Sequence, residues 1–175
     1  MKAETMRVIA VDPSLRSTGF AVLEKAPGPN GKLRALDFGI IKNRADLLPS
    51  SCLVAIHDRL AEIIHKHEPE FAAVEGVIFV QSHRIAITLG AARGAAMVAL
   101  AERGLPIFEY APRRVKQAVA GRGTADKTQV SFMVRALLGL TENPSPDAAD
   151  ALAIGLTHFH MSETARHGAA ALSQI

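Results

Sequence analysis

The sequence is poor in the residues that would place it in several common classes of protein. Its one cysteine, Cys52, cannot form an intramolecular disulfide, and we expect a buried structural thiol there. No uninterrupted apolar run approaches the roughly 20 residues of a membrane-spanning helix, and the first residues lack the apolar core of a signal peptide. These absences predict a cytoplasmic protein that is not associated with a membrane.

Aromatic residues are also scarce, because the 175 residues include no tryptophan, one tyrosine and seven phenylalanines. A chain of this kind is poorly equipped to stack bases along a single strand, so we expect any nucleic acid to be held through its phosphates. Residues 111–127 contain only one acid, Asp126, among many basic residues. A basic surface suits a polyanion, although a solvated helix and loop would give the same pattern.

The pattern of apolar residues predicts a single α/β domain with the element order βββαβαβααα. A mixed five-stranded sheet should have helices on both faces. The expected helices include one from about Ser82 to Arg103, one with its N-cap at Thr124, and a last one from Pro146 to about His160. Residues 1–161 would form the domain, and residues 162–175 would form a loose tail.

Four acids have positions that suit a common site. Asp12 ends the first predicted strand and Glu75 ends the fourth, and sites in open α/β sheets form beyond the carboxyl ends of strands. Asp147 and Asp150 lie one turn apart at the start of the last helix. Carboxylates about 4 Å apart repel by roughly 4 kcal/mol at an effective dielectric constant near 20, so a converging cluster is tolerable mainly if it binds cations. Oxygen ligands select Mg²⁺ or Mn²⁺.

Each acid also has a purely structural explanation when it is taken alone. A carboxylate at a strand end can cap a turn, and two aspartates in a first helical turn can complement the helix dipole. The histidine pairs His65/His67 and His158/His160 resemble metal-ligand spacing, but residues two apart on a helix do not share a face. We therefore expect these histidines to be mostly surface residues and not zinc ligands.

Five segments of the chain together resemble the RuvC family of Holliday-junction resolvases. They are VIAVDPSLRSTGFAV, AAVEGV, LGAARGAAMVAL, FEYAPRRVKQAVAGRGTADKTQV and NPSPDAADALAIGLTHFH, and the resemblance extends from about Met6 to His160. It implies a ribonuclease-H-like fold, a homodimer, and metal-dependent symmetric nicking of four-way DNA junctions during homologous recombination and DNA repair. It also implies the RuvA–RuvB branch-migration complex as a partner.

The resemblance assigns roles to individual residues. Asp12, Glu75, Asp147 and Asp150 would be the catalytic ligands of two Mg²⁺ ions, for which Mn²⁺ can substitute, and Lys127 would add positive charge at the phosphate. The glycine- and alanine-rich long helix would form the dimer contact. The expected DNA-binding residues are Arg84, Arg113, Arg114, Lys116, Arg122, Lys127 and Phe79.

Phe79 departs from the family pattern. The residues after the motif glutamate are Gly76-Val77-Ile78-Phe79, so the aromatic lies one residue later than is usual in the family. A wedge residue acts by partly unstacking bases, so the departure leaves the mode of junction opening undecided.

Three other functions are compatible with parts of the sequence. One is a nuclease of the same fold that acts on another branched or structured nucleic acid. Another is an actin-like ATPase, because VDPSLRSTGFAV resembles a phosphate loop, but the chain is short for the two lobes of such an enzyme. The last is an inactive DNA-binding protein, which the complete acidic set disfavours.

Overall fold

The computed structural model describes residues 5–28, 31–76, 82–166 and 173–175. Its elements follow the predicted order. The strands are β1 (Met6–Asp12), β2 (Ser17–Lys25), β3 (Leu33–Lys42), β4 (Phe71–Glu75) and β5 (Ile107–Tyr110). The helices are α1 (Pro49–His67), α2 (His83–Ala101), α3 (Pro112–Ala120), α4 (Lys127–Leu138) and α5 (Pro146–Arg166).

The five strands form one mixed sheet in the order β3-β2-β1-β4-β5. The first three strands are antiparallel neighbours, whereas β4 runs parallel to β1, and β5 runs parallel to β4. Central β1 has helices over both faces, and its residues Val8–Val11 are fully buried. A strand buried on both faces is expected to be a continuous apolar run, which explains the sequence VIAV.

The two faces of the sheet support separate hydrophobic cores. Side chains of β1 alternate between them, so Val8 and Ala10 pack with α3, α4 and α5, while Ile9 and Val11 pack with α1 and α2. The prediction of a mixed sheet with helices on both faces is therefore confirmed.

Helix α2 has an unusual surface for a helix of this length. Among the described helices, α2 is the one whose length and composition would suit a membrane span. Only 22% of its apolar window is buried inside the protein. Its buried side is formed by Ala92, Ala96, Ala99 and Leu100, which pack in the α1 core.

Two predicted helix boundaries were wrong. Helix α4 begins at Lys127, because Asp126 and not Thr124 is its N-cap and accepts a hydrogen bond from the Gln129 backbone. The Gln129 side chain in turn accepts from the Asp126 backbone, which completes a capping box.

Helix α5 also continues past the predicted end near His160, through to Arg166. At the end of the chain, Gln174 pairs with Phe108, and the Ile175 amide donates to the Ile107 carbonyl oxygen at 3.1 Å. The division into a domain and a tail at residue 161 stays a prediction.

The expectation of surface histidines was wrong for His158. This side chain is buried among aromatic rings, and its Nδ1 lies 2.9 Å from the Tyr110 hydroxyl. Burial lowers the pKa of His158 to about 4, so the ring is neutral and structural at neutral pH. The burial of His158 could not be predicted from the sequence pattern, because α5 has apolar residues on nearly all sides and so no polar face that marks the surface. Cys52 is buried, as predicted.

Candidate active site

The sheet places two of the predicted acids next to each other. In the parallel pair of β1 and β4, Val11 is opposite Val74, so the following residues, Asp12 and Glu75, lie at the same carboxyl edge. This convergence follows from strand direction and register. A sequence pattern can suggest that two segments are strands, but their pairing depends on the whole sheet.

Helix α5 carries the other two acids across the sheet. Its N-terminal backbone lies so close to β2 that a Cβ atom added to Gly19 would overlap the carbonyl oxygen of Asp147. Farther along, a Cβ on Gly155 would lie 2.7 Å from the Leu23 side chain. The two glycines thus let the helix approach the sheet closely, which places its first turn beside the end of β1.

Three of the four acids share one cavity of about 310 Å³. Asp12, Glu75 and Asp150 line it together with Lys116 and Lys127. The Lys127 ammonium group lies 3.1 Å from Oδ2 of Asp150. The cavity therefore combines acids from three separate elements with positive charge from α3 and α4.

Asp147 is near the cavity but is not one of the described residues that line it. The Ser17 hydroxyl donates a hydrogen bond to its carboxylate. Its charge nevertheless acts on Asp12, as the pKa of that residue shows.

The acids perturb one another in the way expected of a cation site. The pKa of Asp12 is raised to about 7, first by burial and then by the negative charges of Glu75, Asp150 and Asp147. The pKa of Glu75 is also raised, by burial and by Asp150. The pKa of Lys127 is raised by its hydrogen bond to Asp150 and by the surrounding acids. The cavity thus favours additional positive charge.

Two supporting contacts were missed by sequence reasoning. One is the hydrogen bond from Ser17 to Asp147. The other involves Arg93 of α2, whose guanidinium donates to the backbone oxygen of Glu75 at 2.6 Å and also pairs with Glu109. Both contacts join residues far apart in the chain, and no local pattern indicates them.

The acids do not form a ready-made metal cage. Within the described ranges, no group of three His, Cys, Asp or Glu side chains is arranged so that it could hold a metal ion. The ammonium group of Lys127 instead partly balances the charge of Asp150.

The predicted DNA-binding residues occupy several places. Lys116 and Lys127 line the acidic cavity, whereas Arg113 and Arg114 are exposed on α3. Arg84 lines a separate groove beside the loop that follows β1. Arg122 lines a groove against α4. Phe79 lies outside the described residues.

Comparison with known proteins agrees with this geometry. The family model of the crossover junction endodeoxyribonuclease RuvC matches residues 8–158. The chain belongs to the RuvC family. The family, the ribonuclease-H-like fold and the endonuclease class predicted from the sequence are thus confirmed.

Individual relatives cover nearly the whole chain. The crossover junction endodeoxyribonuclease RuvC of Akkermansia muciniphila is 52% identical over 158 residues, which is 90% of this chain and 93% of that protein. The RuvC of Pelotomaculum thermopropionicum is 44% identical over 156 residues, with coverage of 89% and 93%. The structure of Thermus thermophilus RuvC in complex with a Holliday junction substrate superposes with a TM-score of 0.87 at 36% identity, covering 97% and 99% of the two chains.

Proposed function

We propose that this protein is an endodeoxyribonuclease that resolves four-way DNA junctions by nicking two opposing strands symmetrically, in homologous recombination and DNA repair. The observation that carries the proposal is the cavity where Asp12, Glu75 and Asp150 meet beside Lys116 and Lys127. The similar T. thermophilus structure contains a Holliday junction substrate. Family membership also favours a nuclease over the actin-like ATPase.

Divalent cations are part of the proposal. The carboxylates of Asp12, Glu75, Asp147 and Asp150 provide the oxygen ligands that Mg²⁺ prefers. The pKa of Asp12 is raised first by burial and then by the negative charge of the other three acids. The number of two Mg²⁺ ions comes from the family resemblance, because the described side chains are not already arranged as a metal site. Mn²⁺ has similar ligand preferences. When bound, such ions activate water and stabilise the departing 3′ oxygen of a phosphodiester.

The protein's own contribution is to position and charge the site. Glu75 and Asp12 are fixed by the sheet, and Asp147 is oriented by Ser17. Lys127, held at the rim by Asp150, would turn its ammonium group towards the phosphate as that group gains charge. Lys116 would contact the strand on the α3 side of the cavity. The exposed Arg113 and Arg114, together with Arg84 and Arg122, would bind phosphates farther along the arms.

We infer that two copies of the chain act as a homodimer through α2. Ile87 and Val98 are 73% and 50% exposed on this helix, and Gly90 and Gly94 lie between them with nothing within 4 Å of an added Cβ. Among the residues that the structure describes, the two glycines pack against no other part of the protomer, but they would let a second backbone approach. A lipid-facing helix is disfavoured because the opposite side of α2 packs in the core. A two-fold dimer offers one site to each of two strands.

Family membership also supports the finer proposals on context. We expect the dimer to work in the cytoplasm and to cooperate with the RuvA–RuvB branch-migration complex.

The decisive experiment is cleavage of a synthetic four-way junction with Mg²⁺ or with a chelator. We expect paired nicks with Mg²⁺ and none with the chelator. Asp147→Asn should keep junction binding but lose nicking by about a hundredfold or more, because a neutral amide cannot replace a carboxylate in this site. The matched control is Asp46→Asn, an exposed acid paired with Arg44, which should cut normally.

Near-normal cleavage by Asp147→Asn would contradict the site assignment. Flaps and RNA–DNA hybrids test the remaining alternative. Faster cutting of either than of the junction would show that the enzyme acts on another structured nucleic acid.

A further inference from the structure

A large aromatic side chain lies exposed on α4, next to the candidate active site. Phe132 is 55% exposed, although phenylalanine is usually buried in a folded domain. It lies on the same helix as Lys127, whose ammonium group contacts Asp150. A solvent-exposed phenylalanine next to catalytic groups needs an explanation that core packing does not give.

Two grooves meet at Phe132. The first, of about 350 Å³, is lined by Lys127, Arg135 and Asp150 among others, and it shares Lys127 and Asp150 with the acidic cavity. The second, of about 500 Å³, contains Arg122 on its wall. Phe132 and Thr128 line both grooves. A chain that leaves the acidic cavity through the first groove would therefore pass over the Phe132 ring.

The charges around the ring favour an anionic occupant. The Arg135 guanidinium lies 5.7 Å from the centre of the Phe132 ring, so one cation borders the ring while most of the side chain stays open. Lys127 and Arg122 add positive charge on the two sides, and Asp150 is the one acid among the described residues that line these grooves. An aromatic face flanked by arginine and lysine is the arrangement that binds a nucleotide by its base and its phosphate together.

We propose that Phe132 and Arg135 form a binding site for an unstacked nucleotide close to the phosphate that is cut. The base stacks on the Phe132 ring, and Arg135 contacts the adjoining phosphate. This inference rests on the proposed nuclease function and adds a determinant of substrate choice. A base inside a continuous duplex cannot present its face, whereas a base at a strand crossover can unstack, so the site selects branched DNA over linear duplex.

The absence of tryptophan from the chain makes a direct test possible. Phe132→Trp introduces a single indole at the proposed stacking position. Leu137→Trp is the matched control, because Leu137 is 50% exposed on the same helix but does not line either groove. Each variant is titrated with a four-way junction and with a linear duplex of the same sequence, in a chelator so that no cutting occurs. Binding is followed separately by the anisotropy of a dye on the DNA.

We expect junction binding to quench the fluorescence of Phe132→Trp strongly and that of Leu137→Trp little, since a stacked base quenches indole emission. Phe132→Ala should bind the junction at least about fivefold more weakly, while its affinity for linear duplex stays unchanged. Its thermal unfolding should match that of the parent protein, because the side chain is largely exposed.

Other results would overturn the inference. Junction binding that leaves the Phe132→Trp signal unchanged would exclude stacking while leaving the proposed nuclease function intact. A fluorescence change that appears on raising the protein concentration without DNA would assign the surface to contact between copies of the chain. A protein that binds no junction at all, by anisotropy, would refute the proposed function and this inference with it.

Discussion

The charge of Asp12 is the most consequential single-residue feature of the site. Its pKa is raised from the ordinary 3.8 to about 7. At any pH between these two values, the carboxyl group is therefore mostly protonated in the native protein and mostly ionised in the unfolded chain. In the absence of cations, the free energy of unfolding must then fall as the pH rises from about 4 to 7, because the native state binds more protons than the unfolded state in this range. The ionised acid therefore reduces the stability of the fold, as expected of a group in the proposed cation site.

This leads to a prediction for Asp12→Asn in a chelator. Removing the carboxylate should raise the free energy of unfolding at pH 8 by about 2 kcal/mol, a value reduced from the full shift because solvent screens part of the interaction. The gain should shrink as the pH falls below about 7 and should vanish below about pH 3, where the wild-type group is protonated in both states. Urea unfolding at several pH values measures it. A variant that is less stable than the wild type at pH 8 would contradict the assigned shift.

At the scale of elements, α4 depends on its cap for the position of Lys127. Asp126 and Gln129 form a capping box immediately before and within the first turn, and Lys127 is the first helical residue. The sequence pattern predicted Thr124 as the N-cap, but threonine and aspartate are both good N-cap residues. Only the path of the preceding turn decides which of them starts the helix.

The two candidates can be compared directly. Asp126→Ala should lower the free energy of unfolding by about 1 kcal/mol, because it leaves the Gln129 amide without its acceptor. Thr124→Ala is the control and should change stability by less than about 0.5 kcal/mol. Both are measured by urea unfolding. The opposite ranking would restore the boundary expected from the sequence.

Helix α2 gives the second prediction at this scale. Gly94→Leu should leave the protomer folded, since no described residue lies within 4 Å of an added Cβ, and leucine is the better helix former. It should weaken the proposed dimer by about tenfold or more, because the partner's backbone can no longer approach. Sedimentation velocity measures the association. Ala136→Leu on the exposed side of α4 is the control, and an unchanged dimer in Gly94→Leu would place the interface elsewhere.

At the scale of the whole molecule, the proposed active site depends on how closely α5 lies over the sheet. Asp12 and Glu75 belong to the sheet, whereas Asp147 and Asp150 belong to the helix, and the close approach at Gly19 fixes their relation. No single element contains the site.

Gly19→Ala should therefore affect both stability and catalysis. The added methyl group would overlap the Asp147 backbone and displace the start of α5, at a cost of about 2 kcal/mol in the free energy of unfolding. Junction cutting should fall by about tenfold or more while junction binding is kept. Gly39→Ala is the matched control in β3, because its Cβ would meet the Phe20 ring at an ordinary 3.4 Å. Equal activity of the two variants would show that this approach does not position the acids.

The order and type of the ten described elements follow from local sequence patterns. Alternation and helical periodicity are local properties of a sequence. They are clear here in the continuous apolar run of β1 and in the prolines that start α1, α3 and α5. The same local patterns placed Asp12 and Glu75 at strand ends and Asp147 and Asp150 in a first helical turn. Family resemblance then supplied the chemistry that these positions suggest.

Which of these groups meet, and what surrounds them, depends instead on how the elements pack together. Strand pairing and the approach of α5 at Gly19 brought the acids together, and packing buried His158 and joined Arg93 to the backbone of Glu75. It also left Phe132 exposed beside the cavity. Such contacts join residues far apart in the chain, and their free energies depend on burial and distance, which no local pattern of residues contains.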